Sequence, residues 1–537
     1  MTQVIRADYC IMGAGPAGAV LAYRLAATGK QVLMLDQGPA YTEGERSAAL
    51  RRGVEMLDDY ADYNDNESAT TVTPHSSAEP EGQVVDWVAQ RLFGIGGTAL
   101  HFEGIMGRPR EDDLRVRSLY GFGRDWPIGY AELEPWLVRA EHEVGVAGND
   151  DNPYASPRSV PFPMPGHAFS YFDREIFGPA LGRLGITGHS CARAVPTQPY
   201  GGRSECLACR ACKFCPSGAR YSPDRVHLRM IEGQENVTIL TGVSLRRLET
   251  SPAGDRIVEA HAQQVADRTP LVIQAEQFVL ALGGVETPRL LMLSAGTGET
   301  SAGLGNAGGQ LGRGFSDHVH PYVTFDLGTH AGSRLGFETM ATDHFRTEVD
   351  RRNENTFWML GSPAMDWFPV GIEAAMWATR ADALSLEALR ESIPRMATLS
   401  GMVELEGKGT LELDNGTLDA FGSPVARVSM TLTDRDRAAP ARMGEIALEI
   451  GEAMGASNIS GVTPAESGLG YHPSGATAMA DSQDEGVCDR DLRVFGLANL
   501  YVVGSSVFPH LPANPPTLTI IALALRLAAH LEGSEAQ

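Results

Sequence analysis

A short apolar run, Asp8-Tyr9-Cys10-Ile11-Met12, leads directly into Gly13-Ala14-Gly15-Pro16-Ala17-Gly18. An alanine-rich, helix-forming stretch then continues to Thr28 and Gly29, and a second apolar run, Gln31 to Leu35, ends in Asp36. The order reads as strand, glycine turn, helix and strand, which commits this end of the chain to an α/β arrangement. Gly13, Gly15 and Gly18 fit the G-x-G-x-x-G spacing, and Asp36 follows about twenty residues on, where a dinucleotide fingerprint places its acid. Each glycine has its own physical reason. Gly13 permits the tight turn, Gly15 lets the backbone approach a pyrophosphate, and Gly18 lets helix and strand pack closely. The helix N-terminus offers N–H groups and the positive end of its dipole to phosphates. Asp36 can accept from a ribose hydroxyl, which favours an unphosphorylated ribose, as in FAD or NAD.

A chain of 537 residues has room for two or more domains. Its formal charge of -23 argues against nucleic acid as a partner, because nothing would neutralise a phosphate backbone. The longest apolar span, Leu518 to Leu531, is interrupted by Arg526, so no transmembrane helix is expected. The first strand begins too early to leave room for a signal peptide, so folding in the cytoplasm is expected.

Of the 7 cysteines, Cys10, Cys191 and Cys488 are scattered and read as core thiols. The others form one run, Cys206-Leu-Ala-Cys209-Arg-Ala-Cys212-Lys-Phe-Cys215-Pro216, with a cysteine at every third position. That spacing reads as a metal site. A ferredoxin run has three residues between its third and fourth cysteines and this one has two, which leaves cluster type and ligand number open. An iron–sulfur cluster is the first reading and a structural zinc the second. Disulfides or free thiols come last, since a reducing cytoplasm opposes disulfides. Arg203, Arg210, Lys213 and Arg220 would offset the charge of a thiolate-bound cluster, or simply solvate a loop.

Between these features the chain alternates in character. Asp58 to Glu81 is a polar, acidic excursion with no visible chemistry. Gly94-Ile-Gly96-Gly97-Thr98, with His101 beyond it, suits a loop whose backbone lies against a flat ligand. Residues 130–145 have amphipathic helical spacing with Trp136 inward. Val237 to Leu240 and Phe278 to Leu282 read as buried strands, the second followed by Gly283-Gly284 and a helix from Thr287. From 320 to 465, strand-like runs such as Met402 to Leu413 and Val425 to Leu432 alternate with turns, suggesting a second domain on an antiparallel sheet. Trp358, Trp367 and Trp377 there read first as core and second as sugar platforms.

The last informative block holds Tyr471-His472-Pro473-Ser474-Gly475-Ala476-Thr477, a strand from Leu500 to Val503, Gly504-Ser505-Ser506, His510 and Asn514. Pro515-Pro516-Thr517 then opens an apolar helix, and prolines at a helix start cost no hydrogen bond. The positive end of that helix would suit a ring accumulating negative charge.

Taken together, the N-terminal glycine motif, Gly96-Gly97-Thr98, Gly283-Gly284-Val-Glu-Thr-Pro288 and the block from His472 to Thr517 resemble, in content and order, the glucose–methanol–choline (GMC) flavoprotein oxidoreductases. The resemblance spans essentially the whole chain and is weakest over 320–465. The cysteine run followed by Pro216-Ser-Gly218-Ala219-Arg220-Tyr221 is similar to the branch of bacterial FAD-dependent glucose, gluconate and glucoside dehydrogenases. It implies FAD, and an iron–sulfur cluster, 3Fe-4S or 4Fe-4S, on some or all of Cys206, Cys209, Cys212 and Cys215. Electrons would pass on to a cytochrome or a small companion subunit, and that companion could also carry the folded chain to the periplasm.

The same resemblance implies His472 as the active-site base beside flavin N5 and Asn514 as its partner, holding the substrate oxygen. His510 is the rival base, and His318 is given a structural role. His101 matches a position that in some relatives is bonded to the flavin. Cofactor contacts are expected at Gly13, Gly15, Gly18, Asp36, Gly96, Gly97, Thr98, His101, Gly504, Ser505, Pro515 and Thr517. Gly504 stands where many members have aspartate, and Ala476 where threonine is common.

The expected architecture is an α/β, overall α+β, chain. Its FAD-binding domain comprises 1–165, 225–318 and 466–537, with a cysteine insert over 195–224 and a substrate domain over 319–465. The expected reaction is oxidation of a sugar or glycoside hydroxyl. An oxygen-using oxidase with a structural metal is the alternative, and a lyase keeping FAD as scaffold the third reading.

Overall fold

The computed structural model describes residues 3–48, 77–78, 83–84, 91–209, 212, 215–296, 302–332, 338–363, 391–430, 432–462 and 471–533. Most of the acidic excursion, together with Trp367 and Trp377, lies outside the described residues.

A seven-stranded sheet forms the nucleotide-binding half. Its order is Val237–Leu240, Val32–Leu35, Gln3–Met12, Pro270–Leu280, Ile257–Gln264, Val243–Thr250, with Leu500–Val502 also pairing to Pro270–Leu280. The first four strands and Leu500–Val502 run parallel, whereas Val243–Thr250 and Ile257–Gln264 form an antiparallel flap. Parallel strands are stable when helices cover them. Here the apolar ends of Gln3–Met12 and Pro270–Leu280 are buried, and helix Pro16–Ala26 packs against the C-terminal helix Thr517–Glu532, which in turn packs on Tyr130–Val144. Trp136 of that last helix is buried, as its spacing suggests. Val237–Leu240 is only half-buried because it forms the sheet edge.

The second half is built on an antiparallel six-stranded sheet: Asn458–Val462, Tyr322–Asp326, Met396–Val403, Phe357–Pro363, Met340–Thr342, His189–Ser190. Phe357–Pro363 is buried along its whole length, Trp358 included, and helix Asp434–Met454 packs on Tyr322–Asp326 and Met396–Val403. That helix starts where Thr433 and Asp436 form a reciprocal capping box. A smaller sheet joins Arg313–Phe315, Gly409–Leu418 and Pro424–Ser429.

Two boundaries differ from the sequence reading. The strand-like run Met402 to Leu413 is the end of one strand and the start of another, parted by a turn at Gly407, whose φ is +70°. The helix expected from Thr287 already begins at Gly283, immediately beyond Leu282. No described helix is long and apolar enough to cross a membrane.

Candidate active site

The glycine turn sits at the carboxyl ends of the parallel strands, where α/β sheets bind ligands. Gly13 has φ +102°, and a Cβ there would stand 2.4 Å from the Ala281 carbonyl oxygen. A Cβ on Gly18 would stand 2.0 Å from the carbonyl oxygen of Gly13, so turn, helix and neighbouring strand end are in direct backbone contact. Beside Gly15 there is open space. Helix Pro16–Ala26 has no side-chain cap and no acid in its first turn, so its N-terminal N–H groups keep their affinity for an anion. Asp36 is partly buried and accepts N–H groups from Ala14 and Gly38, both at 2.9 Å. Burial raises its pKa and those two hydrogen bonds oppose the rise. A carboxylate has roughly four acceptor positions, which leaves capacity for a ribose hydroxyl.

The second glycine loop lies on the first. Gly96 donates its N–H to the Ala14 carbonyl at 3.0 Å, and a Cβ on Gly97 would be 3.0 Å from the Gly15 Cα. Thr98 is the second residue of the 3₁₀ turn Gly97–Leu100 that leads to the buried His101. Arg220 anchors this turn from the cysteine segment, donating to the carbonyls of Ala99 at 2.7 Å and Leu100 at 2.8 Å. Its own backbone N–H donates to Cys215 Sγ at 3.1 Å, so one residue connects the fourth cysteine to the loop at His101. Cys215 is buried, Cys206 and Cys212 are partly buried and Cys209 is exposed. Burial, then the neighbouring Cys215 and Cys209, raises the Cys206 thiol against a hydrogen bond from the Ala208 N–H. No three of the four sulfurs lie within 4.8 Å of one another, although all four are among the described residues. Cys10, Cys191 and Cys488 are buried free thiols.

The third convergence brings in His472. A Cβ on Gly284 would be 2.1 Å from the Pro473 carbonyl oxygen, and Ser505 Oγ donates to that same oxygen at 2.7 Å. Ser316 and Ser474 exchange backbone hydrogen bonds, both 2.9 Å, which lays 316–318 beside 472–474. Asp317, wholly buried, then holds both histidine backbones through one carboxylate oxygen: it accepts from the His318 N–H at 2.7 Å and the His472 N–H at 2.8 Å. The imidazoles of His318 and His472 meet at Nδ1, 2.9 Å apart, and His318 Nε2 lies 2.7 Å from the Pro512 carbonyl oxygen. His320, two residues on, places its ring centroid 5.5 Å from that of His472, with Nε2 buried and unpartnered. Burial away from water depresses all three imidazoles, with each ring's histidine neighbours adding to the depression for His472: His318 to about 4, His320 to about 3 and His472 well below its ordinary value. All three are therefore neutral at neutral pH.

The rival base is committed elsewhere. His510 Nε2 pairs with Glu404 at 2.6 Å, and Glu404 also pairs with Arg351. Despite its burial, these partners hold the Glu404 carboxyl far below the usual range. The network continues from Arg351 to Asp113 (2.9 Å), from Asp113 to Arg346 (2.7 Å), and from Arg346 to Asn514 Oδ1 (3.3 Å). Asn514 Nδ2 donates to the carbonyls of Gly107 and Pro515, both at 3.1 Å. A substrate oxygen would accept from this amide only in exchange for one of those carbonyls, whereas a substrate hydroxyl has the second lone pair of Oδ1 to donate to. Asn514 N–H donates to Pro512 O at 2.7 Å, so the same carbonyl joins Asn514 and His318. Beyond it, helix Thr517–Glu532 starts with neither a side-chain cap nor an acid in its first turn. Gly504, at φ +138°, has open space where a Cβ would project.

Two uncapped apolar helices, two interlocked glycine loops and an open flank at Gly15 and Gly504 fit an extended dinucleotide carrying a flat ring. His320 and the tautomer-capable contact between His318 and His472 escaped the sequence reading. The signal was there, since His318-Val-His320 places two imidazoles on one side of an extended segment.

Comparison with known proteins follows the same outline. GMC oxidoreductase family models match residues 174–320 and 406–524, and a model of the NAD(P)-binding Rossmann-like domain matches residues 11–42. The fructose dehydrogenase large subunit of Gluconobacter japonicus is 27% identical, over 98% of either chain. Paromamine 6'-oxidase of Streptomyces fradiae is 26% identical, over 98% of this chain and 91% of its own. The gluconate 2-dehydrogenase flavoprotein of Pantoea cypripedii is 23% identical, over 97% and 92%. In fold the chain is similar to pyridoxine 4-oxidase from Mesorbium loti, with TM-score 0.66 at 20% identity over 98% of this chain and all of the other.

Proposed function

The chain belongs to the GMC oxidoreductase family and is an FAD-dependent enzyme of CH–OH donors; from that premise we propose that it is a dehydrogenase for a hydroxyl of a sugar or glycoside. His472 is the base in this reading, and electrons leave to a partner protein. The observation that carries it is a neutral imidazole, His472, clamped by Asp317 and His318 beside the glycine-lined crevice.

When bound, FAD supplies the two-electron acceptor for a hydride. The glycine turn at Gly13, Gly15 and Gly18 would hold its pyrophosphate, Asp36 its ribose, and Gly96, Gly97, Thr98 and His101 the face of its ring system. Gly504 and Ser505, in the turn after Leu500–Val502, and Pro515 and Thr517, at the start of the C-terminal helix, would approach the ring, and the positive end of that helix would suit a ring accumulating negative charge. His472 takes the hydroxyl proton of the substrate while the carbinol carbon gives up its hydrogen with the bonding pair. The carbon–oxygen bond becomes a carbonyl and His472 becomes imidazolium. General-base assistance of this kind is worth about 10²–10⁴-fold. Asn514, held by Arg346, Gly107 and Pro515, would be the partner of His472 at the substrate oxygen.

Relatives named as a dehydrogenase large subunit and a dehydrogenase flavoprotein support a companion subunit for this chain too. In the proposal Cys206, Cys209, Cys212 and Cys215 hold an iron–sulfur centre, 3Fe-4S or 4Fe-4S, with zinc as the alternative occupant. Such a centre would require the run to close, bringing the sulfurs together. The link from Cys215 through Arg220 to the loop at His101 would put it next to the flavin loop. The companion would also carry the chain, folded in the cytoplasm, to the periplasm. An oxidase reading is kept by the paromamine 6'-oxidase likeness. Anaerobic addition of a panel of sugars and glycosides tests the proposal: flavin absorbance should bleach with a sugar, and iron with acid-labile sulfide should accompany the protein. Bleaching by none of them would sink the substrate class, and peroxide formed at a rate matching turnover would establish the oxidase.

A further inference from the structure

We propose that His318 is a positioning residue that sets the tautomer of His472, so that the lone pair needed for proton abstraction is always on Nε2. The inference rests on His472 being the base and deepens it. It follows from matching hydrogen-bond donors to acceptors along three groups. The Pro512 carbonyl oxygen can only accept, and His318 Nε2 lies 2.7 Å from it, so in the neutral ring Nε2 carries the hydrogen. His318 Nδ1 then has the lone pair. At 2.9 Å it accepts, and His472 Nδ1 must donate. A neutral His472 with its hydrogen on Nδ1 leaves Nε2 bare. The chain of donors runs His472 to His318 to Pro512, and its last acceptor is a backbone atom that cannot titrate or rotate.

Several features of the site guard this arrangement. Asp317 fixes the backbones of both histidines from one oxygen, so the two rings cannot drift apart independently. His318 is wholly buried, which prevents water from supplying a competing donor. Burial keeps both rings neutral, the condition under which tautomer has meaning. The device differs from a carboxylate behind a histidine, because a neutral imidazole adds no negative charge and leaves the base weakly basic. The three rings offer nitrogens within 4.8 Å of one another, a spacing that could suit a metal ion. The lone pair of His318 Nδ1 is already engaged by His472, which favours the relay.

During turnover the hydroxyl proton goes to His472 Nε2, and the imidazolium formed keeps its Nδ1 hydrogen on His318. The proton leaves again from Nε2, restoring the same tautomer. No oxidant beyond the flavin is involved.

The experiment compares holoenzyme with His318→Leu and His318→Gln. The glutamine amide offers an acceptor and a donor and can stand in for the ring; leucine can do neither. At saturating substrate, anaerobic flavin reduction should slow at least on the order of 10–100-fold in the leucine variant, the loss typical of removing the outer partner that fixes a histidine's tautomer in metal sites. Half-saturation should stay within about threefold, and the glutamine variant should recover most of the rate. In ¹⁵N-histidine-labelled holoenzyme, the His472 ring, assigned by its disappearance in His472→Ala, should show a protonated Nδ1 and a bare Nε2. A bare Nδ1, an unimpaired leucine variant, or a glutamine variant as slow as leucine would overturn the proposal. Should the leucine variant lose FAD, the glutamine variant and the wild-type spectrum still decide. If His472→Ala keeps its rate while the spectrum shows Nδ1 protonated, the base assignment has failed and the tautomer assignment stands.

Discussion

Replacing Gly284 by alanine tests how His472 is held without touching either histidine. A Cβ at this position would stand 2.1 Å from the Pro473 carbonyl oxygen and 2.5 Å from its carbon, both backbone atoms that cannot swing aside. Ordinary contact begins near 3.4 Å, so helix Gly283–Leu293 and the His472-Pro473 segment must separate by about 1.3 Å, the difference between 3.4 and 2.1 Å. The backbone itself has no reason to object, since Gly284 is a first-turn helical position that does not take a positive φ. Strain therefore falls on Pro473 and, through it, on His472. A misplacement of about 1 Å in a catalytic group can cost on the order of 10²-fold. Stopped-flow flavin reduction under anaerobic conditions should show that loss, with FAD retained because Gly13, Gly15, Gly18 and Gly97 are unchanged. Gly444→Ala serves as control: it lies in helix Asp434–Met454 with no atom within 4 Å of its Cβ position, and should leave the rate alone. A Gly284→Ala enzyme reducing flavin at the wild-type rate would refute the claim that this backbone contact positions the base.

Two further outcomes are expected. His318 and His320 are held by burial at about 4 and about 3, below the ordinary 6.5, so the unfolded chain binds their protons first as pH falls. Their contribution to stability is complete above about 6.5 and is lost as pH drops towards 4 and 3; the Tm-against-pH slope in that window should flatten in His320→Gln, and an unchanged slope would tell against it. Glu404→Gln leaves the buried Arg351 short of a charge partner and His510 without its carboxylate, and should cost about 3–5 kcal/mol by denaturant titration, whereas a loss under about 1 kcal/mol would show the network to be expendable.

Much of the nucleotide-binding half was legible because its constraints are local. Gly13, Gly15, Gly18 and Asp36 act within one turn and its flanking strands, and short-range spacing records them. Gly96 and Gly97 were legible as a ligand-facing loop, but their contact with Ala14 and Gly15 is a tertiary fact with no spacing to announce it. The same holds for His318 and His472, which meet across 154 residues, and for the Glu404 and His510 pair across 106. Sequence alone made His510 a rival base; its burial against a carboxylate could only be seen in three dimensions. The break within Met402 to Leu413 has a local signal, since Gly407-Lys408-Gly409 interrupts an alternating strand-like pattern. For the cysteines the spacing raises the expectation of a metal centre, whereas among the described residues no three of the four sulfurs come within 4.8 Å of one another.

Whether His472 takes the substrate proton can be decided by one rate, that of anaerobic flavin reduction in His472→Ala with the best sugar or glycoside found. A fall of about 10²–10⁴-fold is expected, with flavin still bound. A rate within about tenfold of wild type, at full FAD occupancy, would contradict the assignment and send the search for the base elsewhere in the crevice.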